Sequence, residues 1–198
     1  MTRDIALFPL GIFLLPGDYT QLHIFEKRYK QLIEDCIQRD ITFGIAFTSR
    51  FNSNNYGCEV ELVEVLKTHA GGEMDIVIKC TSVFQLQQYY FQKEGKLYPG
   101  GRVEKLSTAI NFPASQELLH HFRKHLVDND NYNSELLTHN NLGLFDVANE
   151  LYMSELEKLE LVHLGHPNLM NRYLINYLRY LKLIREQEKS VFKNIYLN

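Results

Sequence analysis

Residues 7–47 read LFPLGIFLLPGDYTQLHIFEKRYKQLIEDCIQRDITFGIAF, and their backbone period changes repeatedly. The apolar run 7–15 is stopped by Pro16-Gly17, a dipeptide that punctuates strands rather than helices. Residues 19–25 then alternate, with Thr20, Leu22 and Ile24 on one face and Gln21 and His23 on the other, the pattern of a half-buried strand. From Phe25 the period becomes helical. Tyr29, Leu32, Ile33 and Cys36 recur at three- and four-residue steps, and Glu26 places negative charge at the helix N-terminus. Residues 41–47 read as a buried strand. Two strands, a helix and a third strand in close succession predict a mixed sheet with the helix laid against it.

The sheet pattern continues to about residue 110. Residues 48–57, rich in Asn and Ser, form an exposed loop in which Phe51 and Tyr56 are unusual. Residues 58–67 alternate, Gly71-Gly72 closes a hairpin, and residues 74–86 form a strand that can continue through 87–91. Gly95 and the segment 98–101 turn the chain before a last strand at 103–106. Beyond 110 the period is helical. Pro113 suits a first helical turn, and Leu118, Leu119, Phe122 and Leu126 make an apolar stripe. An asparagine-rich loop, 128–141, leads to a short helix at 145–152. Ser154-x-x-Glu157 is a capping box opening another helix, and Pro167 introduces the longest, from 168 to about 188. The expected fold is α+β, with a β-rich subdomain over 1–110 and an α-helical one over 111–198.

Composition narrows the function. Hydrophobic residues are 45% and charged residues 23%, ordinary globular proportions. The net charge is −3 and evenly spread: residues 1–106 hold 12 Lys+Arg against 13 Asp+Glu, and the remainder 9 against 11. Neither half has the basic excess of a polyanion binder. No apolar run approaches a membrane span and no cleavable leader opens the chain, so a cytoplasmic location and no membrane contact are expected. Cys36, Cys58 and Cys80 lack a CxxC pair and read as buried thiols.

Catalytic chemistry finds no focus. The phosphate-cradling GxxxxGK[ST] pattern is absent, since the sole Gly-Lys, Gly95-Lys96, is followed by Leu97. His121 and His125 stand one helical turn apart, but Phe122 replaces the glutamate of HExxH, and a solvated helix face is expected there. His23 reads as a hydrogen-bonded structural residue. Neither cofactor nor metal is expected. Glu26 and Arg28, between Phe25 and Tyr29, read as structural: the carboxylate meets the helix N-terminus and the guanidinium ties a neighbouring loop or carboxylate. The better clue is aromatic: Tyr89, Tyr90 and Phe91 are consecutive in a strand, so at least one must point outward. With Phe51 and Tyr56 they form the candidate binding surface.

The pieces Leu7-Phe8-Pro9-Leu10, Leu15-Pro16-Gly17, Leu22-His23-Ile24-Phe25-Glu26 with Arg28-Tyr29, Asp35-Cys36 and Phe43-Gly44-Ile45 together resemble the opening of the Lon protease substrate-binding domain, in a stand-alone bacterial form. Before Phe84 this chain has Cys80, Ser82 and Val83, where the family usually shows a glycine and arginines. The resemblance implies a barrel-like, PUA-like sheet followed by a helical bundle. It also implies a chain that stops before the ATPase and serine-lysine protease domains and is not an enzyme. The expected role is a protein- or peptide-binding module, an adaptor for proteolysis or quality control. Its expected partners are unfolded or extended polypeptides, a protease, or another protein, with self-association left open. Such binding would be micromolar and little changed by salt. The alternative is RNA binding through the PUA-like half, which the charge disfavours.

Overall fold

The computed structural model describes residues 2–128, 136, 139 and 141–195, with side chains as far as 189; most of the asparagine-rich loop lies outside these residues. Two compact units result. One comprises Met1–Ile110 with Tyr152–His163, the other Asn111–Leu151 with Leu164–Asn198.

The first unit carries all the strands: β1 (Thr2–Leu10), β2 (Tyr19–Ile24), β3 (Phe43–Phe47), β4 (Tyr56–Thr68), β5 (Met74–Tyr90) and β6 (Gly100–Lys105). The sheet order is β2-β5-β4-β3-β1-β6, and β6 pairs again with the far half of β5. Five strands thereby close a hydrogen-bonded ring, and β2 is appended along the first half of β5. Only β1 and β3 run parallel, which makes the sheet mixed, and the chain between them carries helix α1 (Lys27–Arg39). A parallel pair needs such a crossover.

Two apolar clusters follow from the pleat. Ile5, Leu7, Phe84 and Val103 pack together on one side of the strands. Their neighbours Ala6 and Phe8 point the other way, into a larger core with Phe43, Ile45, Val60, Ile76 and Ile78, where α1 buries Tyr29, Leu32, Ile33 and Cys36. Gly100 and Gly101 were expected in a turn but lie inside β6. Gly101 pairs with Ile5 on one side and Tyr89 on the other, and a Cβ there would sit 2.6 Å from both the Gln88 carbonyl and the Leu7 side chain. Absence of a side chain is what lets the ring close at this point.

The second unit contains α2 (Gln116–Val127), α3 (Leu144–Asn149) and α5 (Pro167–Ile195), while α4 (Glu155–Leu164) falls almost wholly in the first. Pro113 does not open α2. It bridges to Gly143, and α2 starts after Ser115, whose hydroxyl accepts a hydrogen bond from Leu118 N at 3.2 Å. A serine cap satisfies an orphan donor that proline cannot, so the cap sets the boundary. The expected stripe is buried on α2, and α5 buries Met170, Leu174, Ile175 and Leu178. At 29 residues α5 exceeds its expected span and measures about 44 Å. Among the described residues, no helix is long and apolar enough to cross a membrane.

Candidate functional site

Strand β4 is longer than the partner on one of its sides. Its pairing with β3 ends at Phe43–Val60, while its pairing with β5 runs on to Thr68–Met74. Beyond Val60 its outer edge has no strand partner among the described residues. Beside that edge the end of α1 and the following loop leave a groove of about 520 Å³. Ile37, Ile41, Leu62, Val63 and Val65 supply its apolar surface, and Ile37 and Val63 are 57% and 47% exposed. Among the described residues that line it, the charged ones are Asp40, Glu61 and Glu64. Asp40 closes α1 in the left-handed conformation, with φ 51°, and its amide donates to the Cys36 carbonyl. That turn places Ile41 alongside β4. The signal was legible in part: adjacent Leu62 and Val63 break strict alternation, and the register shift between Leu62 and Glu64 lets both line the groove. The open edge was not legible, because it depends on where β3 stops.

The structure treats the aromatic surface residues in different ways. Tyr89 packs against the smaller apolar cluster and meets Phe91 edge-on at 5.3 Å, while Phe91 is 89% exposed. Burial raises the Tyr89 phenol pKa against the opposing pull of Arg28. Tyr90 hydroxyl lies 3.2 Å from a Gln88 oxygen. Phe51 is exposed beneath the Arg50 guanidinium, and Tyr56 leans on His163 of α4 at 4.8 Å. Phe51 and Tyr56 share no ring contact with Tyr89–Phe91 among the described residues.

The fold-motif residues are placed clearly. Gly17 has φ 90°, and its amide donates to the Cys80 carbonyl, so Pro16-Gly17 hangs the β1–β2 connection on β5. Asp18 beside it is held by Lys158 of α4 at 2.6 Å. Glu26 does not cap α1 with its side chain; it takes the Arg28 guanidinium at 2.8 Å instead. Tyr29 stacks on Phe8 at 3.8 Å, and Phe25 is 63% exposed.

Two buried carboxylates hold elements together. Asp35 of α1 accepts from Lys96 Nζ at 2.7 and 2.8 Å and from the Tyr98 hydroxyl at 2.7 Å. Burial alone would raise its pKa, and the Lys96 and Tyr98 hydrogen bonds outweigh it and hold the carboxyl below its usual value. Glu59 is held by Arg3, by Thr42 Oγ1 at 2.5 Å and by Ser82 Oγ at 2.9 Å. Its burial is likewise outweighed by these bonds, and its pKa is lowered. All three cysteines are free and buried, and burial pushes the Cys36 thiol up to about 12, away from reactivity. His121 and His125 line a 280 Å³ cleft with Lys124, Arg179, Lys182 and Arg185. Asp128 lines it as well, and burial and then a nearby arginine, Arg179 for His121 and Arg185 for His125, lower both imidazole pKa values.

Comparison with known proteins bears on the fold and family. The family described as the ATP-dependent protease La (LON) substrate-binding domain matches residues 4–195. A Lon N-terminal domain protein from Xanthomonas campestris is similar in structure, with a TM-score of 0.65 and 23% identity over 90% of this chain and 98% of that one. The N-terminal domain of a Mycobacterium avium complex Lon protease has a TM-score of 0.65 and 14% identity, covering 89% of this chain and 98% of that one. No curated protein matches the sequence.

Proposed function

The chain belongs to the LON substrate-binding domain family, and from that premise we propose that it binds extended or unfolded polypeptide along the open edge of β4. The observation carrying this reading is the unpaired stretch of β4 beside an apolar groove. An added strand would satisfy its own backbone on that edge while its alternate side chains enter the groove. Asp40, Glu61 and Glu64 bias the choice toward segments that mix apolar and basic residues. Affinity of such a short, exposed contact is micromolar, about −8 kcal/mol. In this role the protein selects clients and leaves their cleavage to another protein, as an adaptor does.

Fluorescence anisotropy with a labelled extended peptide of alternating Leu and Lys tests the reading. The native chain should bind it, with Val63→Asp and Ile37→Ser each weakening binding several-fold, and salt weakening it modestly through the rim carboxylates. A single-stranded RNA is the counter-probe. RNA binding that falls steeply with salt, with no peptide signal, would replace this reading by nucleic-acid recognition.

A further inference from the structure

Across the sheet from that groove's strand edge, the first unit gathers His23, His69 and Asp75. His23 stands opposite Asp75 in the β2–β5 ladder. The β4–β5 turn, closed by the Gly72 amide on the His69 carbonyl at 2.9 Å, brings His69 back to the same carboxylate. His23 Nδ1 lies 2.6 Å from Asp75 Oδ1 and His69 Nε2 lies 2.7 Å from Asp75 Oδ2. The two imidazoles meet edge-on at 5.7 Å, and Phe25 stacks beside His23 at 6.2 Å. We propose that His23, His69 and Asp75 are a binding site for a divalent transition-metal ion of the zinc class.

The geometry supports this. The three donor atoms lie within 4.8 Å of one another. Ligands of a tetrahedral zinc ion, with bonds of about 2.0–2.2 Å, stand about 3.4 Å apart, so the set needs only small side-chain adjustments. Two imidazoles and one carboxylate favour zinc, cobalt or nickel over magnesium or calcium, which prefer all-oxygen shells. The set also leaves a fourth position open to water or a carbonyl oxygen. His23, His69 and Asp75 are all accessible, with side chains 54%, 32% and 35% exposed, so an ion can enter from solvent. Two lysines border the cluster. Lys67 stands across the ladder from Asp75, and Lys30 is committed to the Gly71 carbonyl at 2.9 Å and to Glu73 at 3.4 Å. A bound ion would fasten the appended strand β2 to the β4–β5 turn, because its ligands come from both. Protons compete for the imidazoles, so acid would release it.

The test is calorimetric titration of the untagged full chain with zinc chloride near neutral pH, paired with cobalt(II) absorption spectra. The expected result is one ion per chain and a visible cobalt band. Asp75→Asn and His69→Gln should each weaken zinc binding about tenfold or more and abolish the band. His121→Gln/His125→Gln should change neither. His23 is exposed and His69 and Asp75 are partly exposed, so circular dichroism should show native unfolding curves for the variants; His23→Gln supplies a further ligand deletion. Absence of stoichiometric binding by the native chain would overturn the proposal. Binding that survives the Asp75 and His69 changes, or is lost with His121 and His125, would overturn it too.

Discussion

Glu59 shows how a charge becomes part of a sheet. It lies opposite Ser82 in the β4–β5 ladder, is only 7% exposed, and takes hydrogen bonds from Arg3, Thr42 and Ser82. Its lowered pKa fixes the sign of a pH effect. The stability it contributes is complete above the ordinary glutamate value of about 4.3 and is lost as pH falls through its lowered folded value. Asp35 acts in the same direction. Urea unfolding should therefore show stability falling in acid, and Glu59→Gln should make that acid limb shallower. At neutral pH the same change should cost about 1–2 kcal/mol, at the low end for a buried pair because Arg3 is half exposed. Gly101→Ala would place its Cβ against the Gln88 carbonyl, which is backbone and cannot step aside. A loss of about 1–3 kcal/mol or more is expected, read from the urea midpoint. Leu32 is fully buried on α1, so Leu32→Asp should abolish soluble expression, since an unpaired carboxylate there costs several kcal/mol. A soluble, cooperatively folding variant would refute the burial.

At the scale of elements, the ends of strands and helices carry more information than their middles. α1 was readable from its apolar stripe, which follows from local sequence, whereas its first turn carries no acidic residue and Glu26 makes no side-chain cap. α4 opens as the capping box predicts: Ser154 N donates to Glu157 at 2.7 Å and Glu157 N to the Ser154 hydroxyl at 3.4 Å. Ser154→Ala should lower the thermal midpoint by an amount equivalent to about 1 kcal/mol. The start of α2 was misplaced because two helix-start signals stood close together and the hydroxyl cap prevailed over Pro113. Among the described side chains α5 buries its stripe as far as Leu178, and Tyr180, Leu183 and Ile184 are exposed, so periodicity continues there where burial does not. The register shifts along β4 near Glu59, Leu62 and Val65 matter for the proposed groove, since a bulged edge resists indiscriminate pairing.

At the scale of the whole molecule, membership of a substrate-binding family and the absence of the phosphate-loop pattern lead to one further prediction. The purified chain should neither hydrolyse ATP nor cleave casein, and turnover that persists through further purification would contradict it. The sequence by itself determined the α+β class, the order of β1, β2, α1 and β3, and the family resemblance in residues 7–47, because each rests on side-chain period and turn chemistry within a few residues. It could not determine that β6 would return to β5, that Tyr152–His163 would join the sheet unit, or that β4 would outrun β3 and leave an edge open. Nor could it bring His69 and Asp75 to His23, since that meeting needs the register of two separate ladders. The physical reason is common to all of these: local sequence sets the conformation of a segment, whereas its pairing partner is chosen by whichever distant segment satisfies its backbone and covers its apolar face.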